Sequence, residues 1–96
     1  MNVVAEVKKE GAYGFECRLS LLRSRRGRPY LQTSGFQWVG NQGGRHTYRT
    51  PLTEEGAEKA SIFLQMAEEG EIPMGDVEDL LNPDKDFAGP TRGILD

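Results

Sequence analysis

Residues 13–22 read Tyr13-Gly14-Phe15-Glu16-Cys17-Arg18-Leu19-Ser20-Leu21-Leu22, with Tyr13, Phe15, Cys17, Leu19 and Leu21 on alternate positions and Gly14, Glu16, Arg18 and Ser20 between them. Successive side chains of an extended chain point to opposite sides, so this period of two predicts a half-buried strand. The next residues, Ser24-Arg25-Arg26-Gly27-Arg28, put a glycine inside a polar cluster and predict a hairpin turn returning along residues 30–39. In that return strand Leu31 and Thr33 have one parity and Phe36 and Trp38 the other, with Gly35 between them. A β-bulge at Gly35 would bring all four to one face. Gly40-Asn41-Gln42-Gly43-Gly44 predicts a second turn into residues 45–50, with His46 and Tyr48 on one face and Arg45, Thr47 and Arg49 on the other. Residues 2–8 are a candidate edge strand, which gives an antiparallel meander of three to four strands.

A second regime starts at Pro51. Thr53 is placed to cap a helix over residues 54–69, with Glu54, Glu55 and Glu58 where the first-turn amides favour negative charge. Gly70 stops that helix and Pro73 prevents its resumption. Gly56, Ala57, Ala60, Phe63, Leu64 and Ala67 form one stripe at helical spacing, suited to lying across a sheet, while Ile62 and Met66 point away and need a second cover. Residues 75–81 predict a short helix ended by Asn82-Pro83, and the polar composition beyond predicts a loosely ordered tail. The expected architecture is α+β: one domain over residues 1–82, a meander packed on one amphipathic helix with a short second helix, and a tail over 83–96.

Charge follows the same division. Between Glu16 and Glu54 the chain has no acidic residue and seven arginines: Arg18, Arg23, Arg25, Arg26, Arg28, Arg45 and Arg49. From Glu54 on, acids dominate, opposed by only Lys59, Lys85 and Arg92. Segregation of this kind points to association with other macromolecules. With 96 residues, 36% apolar, and a mean hydropathy of −0.60, the chain can hold one modest core. Cys17 is the sole cysteine, so no intramolecular disulfide or cysteine-based zinc site can form, and a reducing, cytoplasmic setting is expected. No run reaches the ~20 apolar residues of a membrane span, so no membrane partner is expected.

Catalytic constellations are thin. His46 is the only histidine, which excludes a multi-histidine metal site; Cys17 shares the parity of Phe15 and Leu19 and reads as a small buried hydrophobe. Gly40, Gly43 and Gly44 match neither a Walker loop nor G-x-G-x-x-G and serve a turn. No enzymatic activity, metal or cofactor is expected. The arginines offer more, because a planar guanidinium both forks onto anions and stacks on rings. Arg23, Arg25, Arg26, Arg28, Arg45 and Arg49, with Tyr30 and Trp38, form the candidate partner-binding set, and Ile62 and Met66 a secondary apolar contact. The acidic half could imitate a phosphate backbone, or could pair with the arginines within the molecule and silence both surfaces.

Residues 43–60, Gly-Gly-Arg-His-Thr-Tyr-Arg-Thr-Pro-Leu-Thr-Glu-Glu-Gly-Ala-Glu-Lys-Ala, locally resemble the wing strand and exit helix of winged-helix transcription regulators. That family places a helix-turn-helix before the wing, where this chain has strand-patterned residues. In size and style the chain is similar to stoichiometric inhibitors that phages and mobile elements use against host machinery, anti-CRISPR proteins included. A dedicated nucleic-acid binder usually has a pI above ~9, and this chain's is 5.2. The expectation is therefore a protein-binding inhibitor or modulator of nucleic-acid-processing machinery, acting as monomer or homodimer on a protein or nucleoprotein partner. Direct binding of single-stranded nucleic acid, through the arginine hairpin and strand aromatics, is the alternative.

Overall fold

The computed structural model describes residues 2–88. Four strands, β1 (Asn2–Glu10), β2 (Glu16–Arg23), β3 (Pro29–Val39) and β4 (Gln42–Pro51), form one antiparallel sheet in the order β1-β2-β3-β4. Helix α1 (Glu54–Glu68) packs chiefly on β1 and also on β2 and β3, and a short α2 (Asp76–Asp79) follows. The chain is thus an α+β meander with one main helix. The candidate edge strand is present and two residues longer than expected.

Local chemistry accounts for the hairpins. In the β2–β3 turn the Gly27 N–H donates to the Ser24 carbonyl, the Ser24 N–H donates to the Arg28 carbonyl, each at 2.9 Å, and Gly27 sits at φ 77. A three-residue loop with a left-handed third residue twists with the strands it joins, and glycine takes that conformation without steric cost. The β3–β4 turn is tighter than expected: Val39 pairs with Gln42, leaving Gly40 and Asn41 as the loop and Gly43 and Gly44 within β4. Strand β2 starts at Glu16 rather than Tyr13, because Tyr13 and Gly14 both have positive φ and turn the chain out of β1.

The bulge expected at Gly35 does not form. Pairing of β3 with β2 and with β4 runs through Gly35 without a shift, so Leu31 and Thr33 face the helix while Phe36 and Trp38 face the opposite side. Gly35 is a site of close approach instead: a Cβ there would overlap the Glu16 carbonyl oxygen. The one register shift in the sheet lies in β1, between Val3 and Ala5.

Val7, Leu19, Leu21 and Leu31 from the sheet meet Ala57, Ala60 and Leu64 from α1 in the main core, joined by Leu52, Val77 and Leu81. The Thr53 side chain accepts from the Gly56 N–H, as a capping threonine should, and Gly70 at φ 78 follows the helix end. Phe63 and Ala67 are partly buried, and Ile72 and Met74 fold back against the core. Met66 is half-buried, whereas Ile62 stays 58% exposed. The residues before β4 are strands, so the winged-helix likeness does not extend beyond its strand and helix.

The loose tail expected from Pro83 is corrected for residues 83–88. Asp86 is fully buried, Leu52 and Phe87 form an antiparallel bridge, and the Thr53 N–H donates to the Asp86 carbonyl at 2.9 Å. Gly56 permits this docking, because a Cβ there would overlap the Asp86 carbonyl oxygen. The rest of that tail, 89–96, lies outside the described residues.

Candidate binding surface on the sheet

Helix α1 covers one face of the sheet. By the pairing register, the other face carries Glu6, Lys8 and Glu10 from β1, Glu16, Arg18, Ser20 and Leu22 from β2, Tyr30, Gln32, Ser34, Phe36 and Trp38 from β3, and Arg45, Thr47 and Arg49 from β4. The candidate partner-binding residues divide among three places. Arg25, Arg26 and Arg28 are exposed at the β2–β3 turn, Arg49 is mid-sheet, and Trp38 and Arg45 sit at the far end. Ten residue-to-residue steps along β3 lead from Arg28 to Trp38, which at ~3.3 Å each is roughly 33 Å. The two ends cannot close on one small ligand.

At the hairpin end, Arg23 braces the loop. Its Nη1 donates to Glu54 Oε2 at 3.0 Å and to the Gly27 carbonyl at 2.7 Å, and its Nη2 donates to Glu54 Oε1 at 2.8 Å. This fork ties the turn to the first residue of α1, and the Arg23 hydrogen bonds hold the Glu54 carboxyl below its ordinary value. Arg23 is therefore a structural brace, and Arg25, Arg26 and Arg28 make no ion pair with any described residue.

Mid-sheet, Ser20 donates to Glu6, Arg18 lies 3.3 Å from both Glu6 and Glu16, and Arg49 Nε donates to Gln32 Oε1 at 2.9 Å. Tyr30 is fully buried with Leu22 in a second small cluster, so its ring is not offered to a partner. Tyr30 has the parity opposite to Leu31 and lies on the face away from α1, where alternation predicts exposure, so its burial could not be read from the sequence pattern.

At the far end, Phe36 and Trp38 meet edge to face at 5.7 Å and 87°, and the Arg45 guanidinium lies over the Phe36 ring at 5.7 Å. Trp38 Nε1 donates to the Tyr13 carbonyl at 2.8 Å, yet Trp38 is 51% exposed. Gly43 makes room for the Phe36 ring, which would overlap any Cβ there. Tyr13, which sequence reasoning assigned to a strand, is 89% exposed at this end. On the helix side of β4, His46 and Tyr48 have ring centroids 5.6 Å apart. His46 lines an open hollow of about 290 Å³ with Gln37, Gln42, Gly43, Gly44 and Arg45, a set without a carboxylate or nucleophile.

Among the described residues no cluster of three or more histidine, cysteine, aspartate or glutamate side chains is placed to hold a metal ion, and no helix is long and apolar enough to cross a membrane. No protein-family model, curated protein or solved structure matches this chain.

Proposed function

We propose that this chain is a non-enzymatic protein-binding inhibitor or modulator of nucleic-acid-processing machinery. The finer form of the proposal places it with the stoichiometric inhibitors that mobile elements direct at host defence, of the anti-CRISPR type, on the support of small size and segregated charge. One observation carries the reading. The chain holds 15 acidic residues, yet Arg25, Arg26, Arg28, Arg45 and Arg49 form no ion pair with a described residue, and among the described residues the one arginine–carboxylate pair joining the basic and acidic parts is Arg23–Glu54. Guanidiniums without a carboxylate partner, three of them at an exposed turn, keep forked hydrogen bonds for another molecule, and arginine and tryptophan are enriched among the residues that dominate protein interfaces. A face about 33 Å long suits a contact of ~800 Å² per partner.

Direct nucleic-acid binding has support in Trp38, Arg45 and Arg49 sharing one face. It is the weaker reading because a stacking platform needs several open rings: on that face Phe36 is covered by Arg45 and Tyr30 is buried, which leaves Trp38. The test is titration of a labelled single-stranded oligonucleotide at two salt concentrations. Negligible affinity at physiological salt is expected; submicromolar binding that falls with log salt by about 0.7 per neutralised phosphate overturns the proposal.

A further inference from the structure

The two edges of the sheet differ in how they are guarded. Strand β1 carries a register shift between Val3 and Ala5 and the charged run Glu6, Lys8, Lys9 and Glu10, devices that discourage pairing with another strand. Strand β4 has neither lysine nor carboxylate, and its only proline is its last residue, Pro51.

Hydrogen bonding fixes which way the β4 backbone points. The Leu52 N–H donates to the Pro29 carbonyl at 3.0 Å, and the register from Tyr30–Pro51 to Val39–Gln42 is unbroken. Hydrogen-bonded pairs alternate in an antiparallel ladder, so Thr50, Tyr48 and His46 bond to β3. The N–H and C=O groups of Gly43, Arg45, Thr47 and Arg49 point away from it. The same alternation aims the Pro51 carbonyl outward, and there the Ala88 N–H donates to it at 3.0 Å, beside the Leu52–Phe87 bridge. The chain has already added a strand fragment to this edge at its Pro51 end. Among the described residues nothing pairs with the outward groups of Gly43 to Arg49.

We infer that this stretch of the β4 edge is a strand-addition site for an extended acidic segment of a partner protein. The inference rests on the protein-binding reading and names its mode of recognition. Arg45, Thr47 and Arg49 share one face, and their cross-strand neighbours on β3 are Phe36, Ser34 and Gln32, none of them acidic. An incoming strand with carboxylates on alternate positions sets them beside Arg45 and Arg49 at the ~5 Å cross-strand spacing, while backbone bonds to the outward groups supply the register. Its intervening side chains lie on the other face beside His46 and Tyr48, the latter 66% exposed, where apolar groups fit. A second copy paired about Thr47 would set Arg45 against Arg49, like charges that disfavour the match.

The test titrates the isotope-labelled full chain with two capped decapeptides, one alternating glutamate with valine and the other lysine with valine, read by amide shifts and hydrogen exchange. The glutamate peptide is expected to shift and protect the amides of Gly43, Arg45, Thr47 and Arg49, and the lysine peptide to leave them unchanged. Arg45→Glu with Arg49→Glu should weaken the glutamate peptide at least ~10-fold and admit the lysine peptide. Thr47→Pro removes an outward N–H and no bond to β3, and should abolish binding; if it unfolds the chain, the charge-reversal pair carries the test. Perturbation confined to residues 24–28 overturns the edge site and leaves the protein-binding reading standing. Protection of the same amides without peptide, rising with protein concentration, also overturns it in favour of a second copy. Oligonucleotide binding with no peptide effect sinks both.

Discussion

Asp86 and the arginines of the β2–β3 turn are charged groups of opposite fate. Asp86 is fully buried, with its carboxylate accepting from the Asn82 N–H and facing Lys59 Nζ at 3.2 Å. Arg25, Arg26 and Arg28 stand exposed, with no ion pair among the described residues. A buried charge must be satisfied where it sits, so Asp86 is tied to the fold; an exposed one costs the fold little and stays available to a partner. Under the proposed function the molecule divides by region, with the helical layer and its docked 83–88 segment holding it together and the sheet's open side as the surface offered to a partner.

The strongest challenge to this division is cut into the helical layer. Leu64 is 1% exposed in the main core, and Leu64→Ala should cost about 2–5 kcal/mol. Gly56→Ala should cost roughly 1–3 kcal/mol, because the added methyl collides with the backbone of the docked 86–88 segment. Chemical denaturation measures both. A Gly56→Ala variant as stable as the parent would mean that the segment is not held against α1 and that the helical layer ends earlier.

Much of the fold was legible in the chain. The Cys17, Leu19, Leu21 alternation, the Ser24–Arg28 turn, the Thr53 cap and the Ala57, Ala60, Leu64 stripe are local patterns with periods that physics dictates, and each lies where expected. Docking of Asp86 and Phe87 was not legible, because it depends on contacts of Asp86 with Gly56 and Lys59 and of Phe87 with Leu52, far away in sequence and without periodicity. Gly35 misled for a different reason. A bulge there would put Leu31, Thr33, Phe36 and Trp38 on one face, but pairing runs through Gly35 unbroken, so the rings lie on the side away from the helix and pack on each other and on Arg45. For the candidate site, the turn arginines were found at the surface from composition alone. The burial of Tyr30, the Arg23–Glu54 brace and the outward amides of β4 emerged only with register.

A smaller effect separates the buried charge from the exposed ones by pH. Hydrogen bonding from the Asn82 backbone, then the Lys59 ammonium, holds the Asp86 carboxyl below its ordinary 3.8. A carboxyl depressed in the folded state contributes stability that is complete above the unfolded value and is lost as pH falls through the folded one. Asp86→Asn should therefore lower the melting temperature at neutral pH, and its deficit against the parent should shrink below pH 3.8. A deficit that stays constant to the acid limit would assign the loss to packing rather than to charge.

The smallest stability effect belongs to the hairpin tip. Replacing Arg25, Arg26 and Arg28 together by alanine removes no bond of their side chains to any described residue and leaves the turn's backbone bonds and Gly27 in place. Surface changes of this kind stay within ~0.5 kcal/mol each, so the melting transition should hardly move. Partner affinity should fall, because three exposed guanidiniums are lost from one end of the sheet. Arg23→Ala is the contrast within the same turn. It breaks the fork to Glu54 and the bond to the Gly27 carbonyl, so it should loosen the loop, seen as faster amide exchange at residues 24–28, while leaving the three tip charges intact. If the triple variant binds its partner as tightly as the parent, the tip is a solvated turn and the binding surface contracts to the Trp38 and Arg45 end of the sheet.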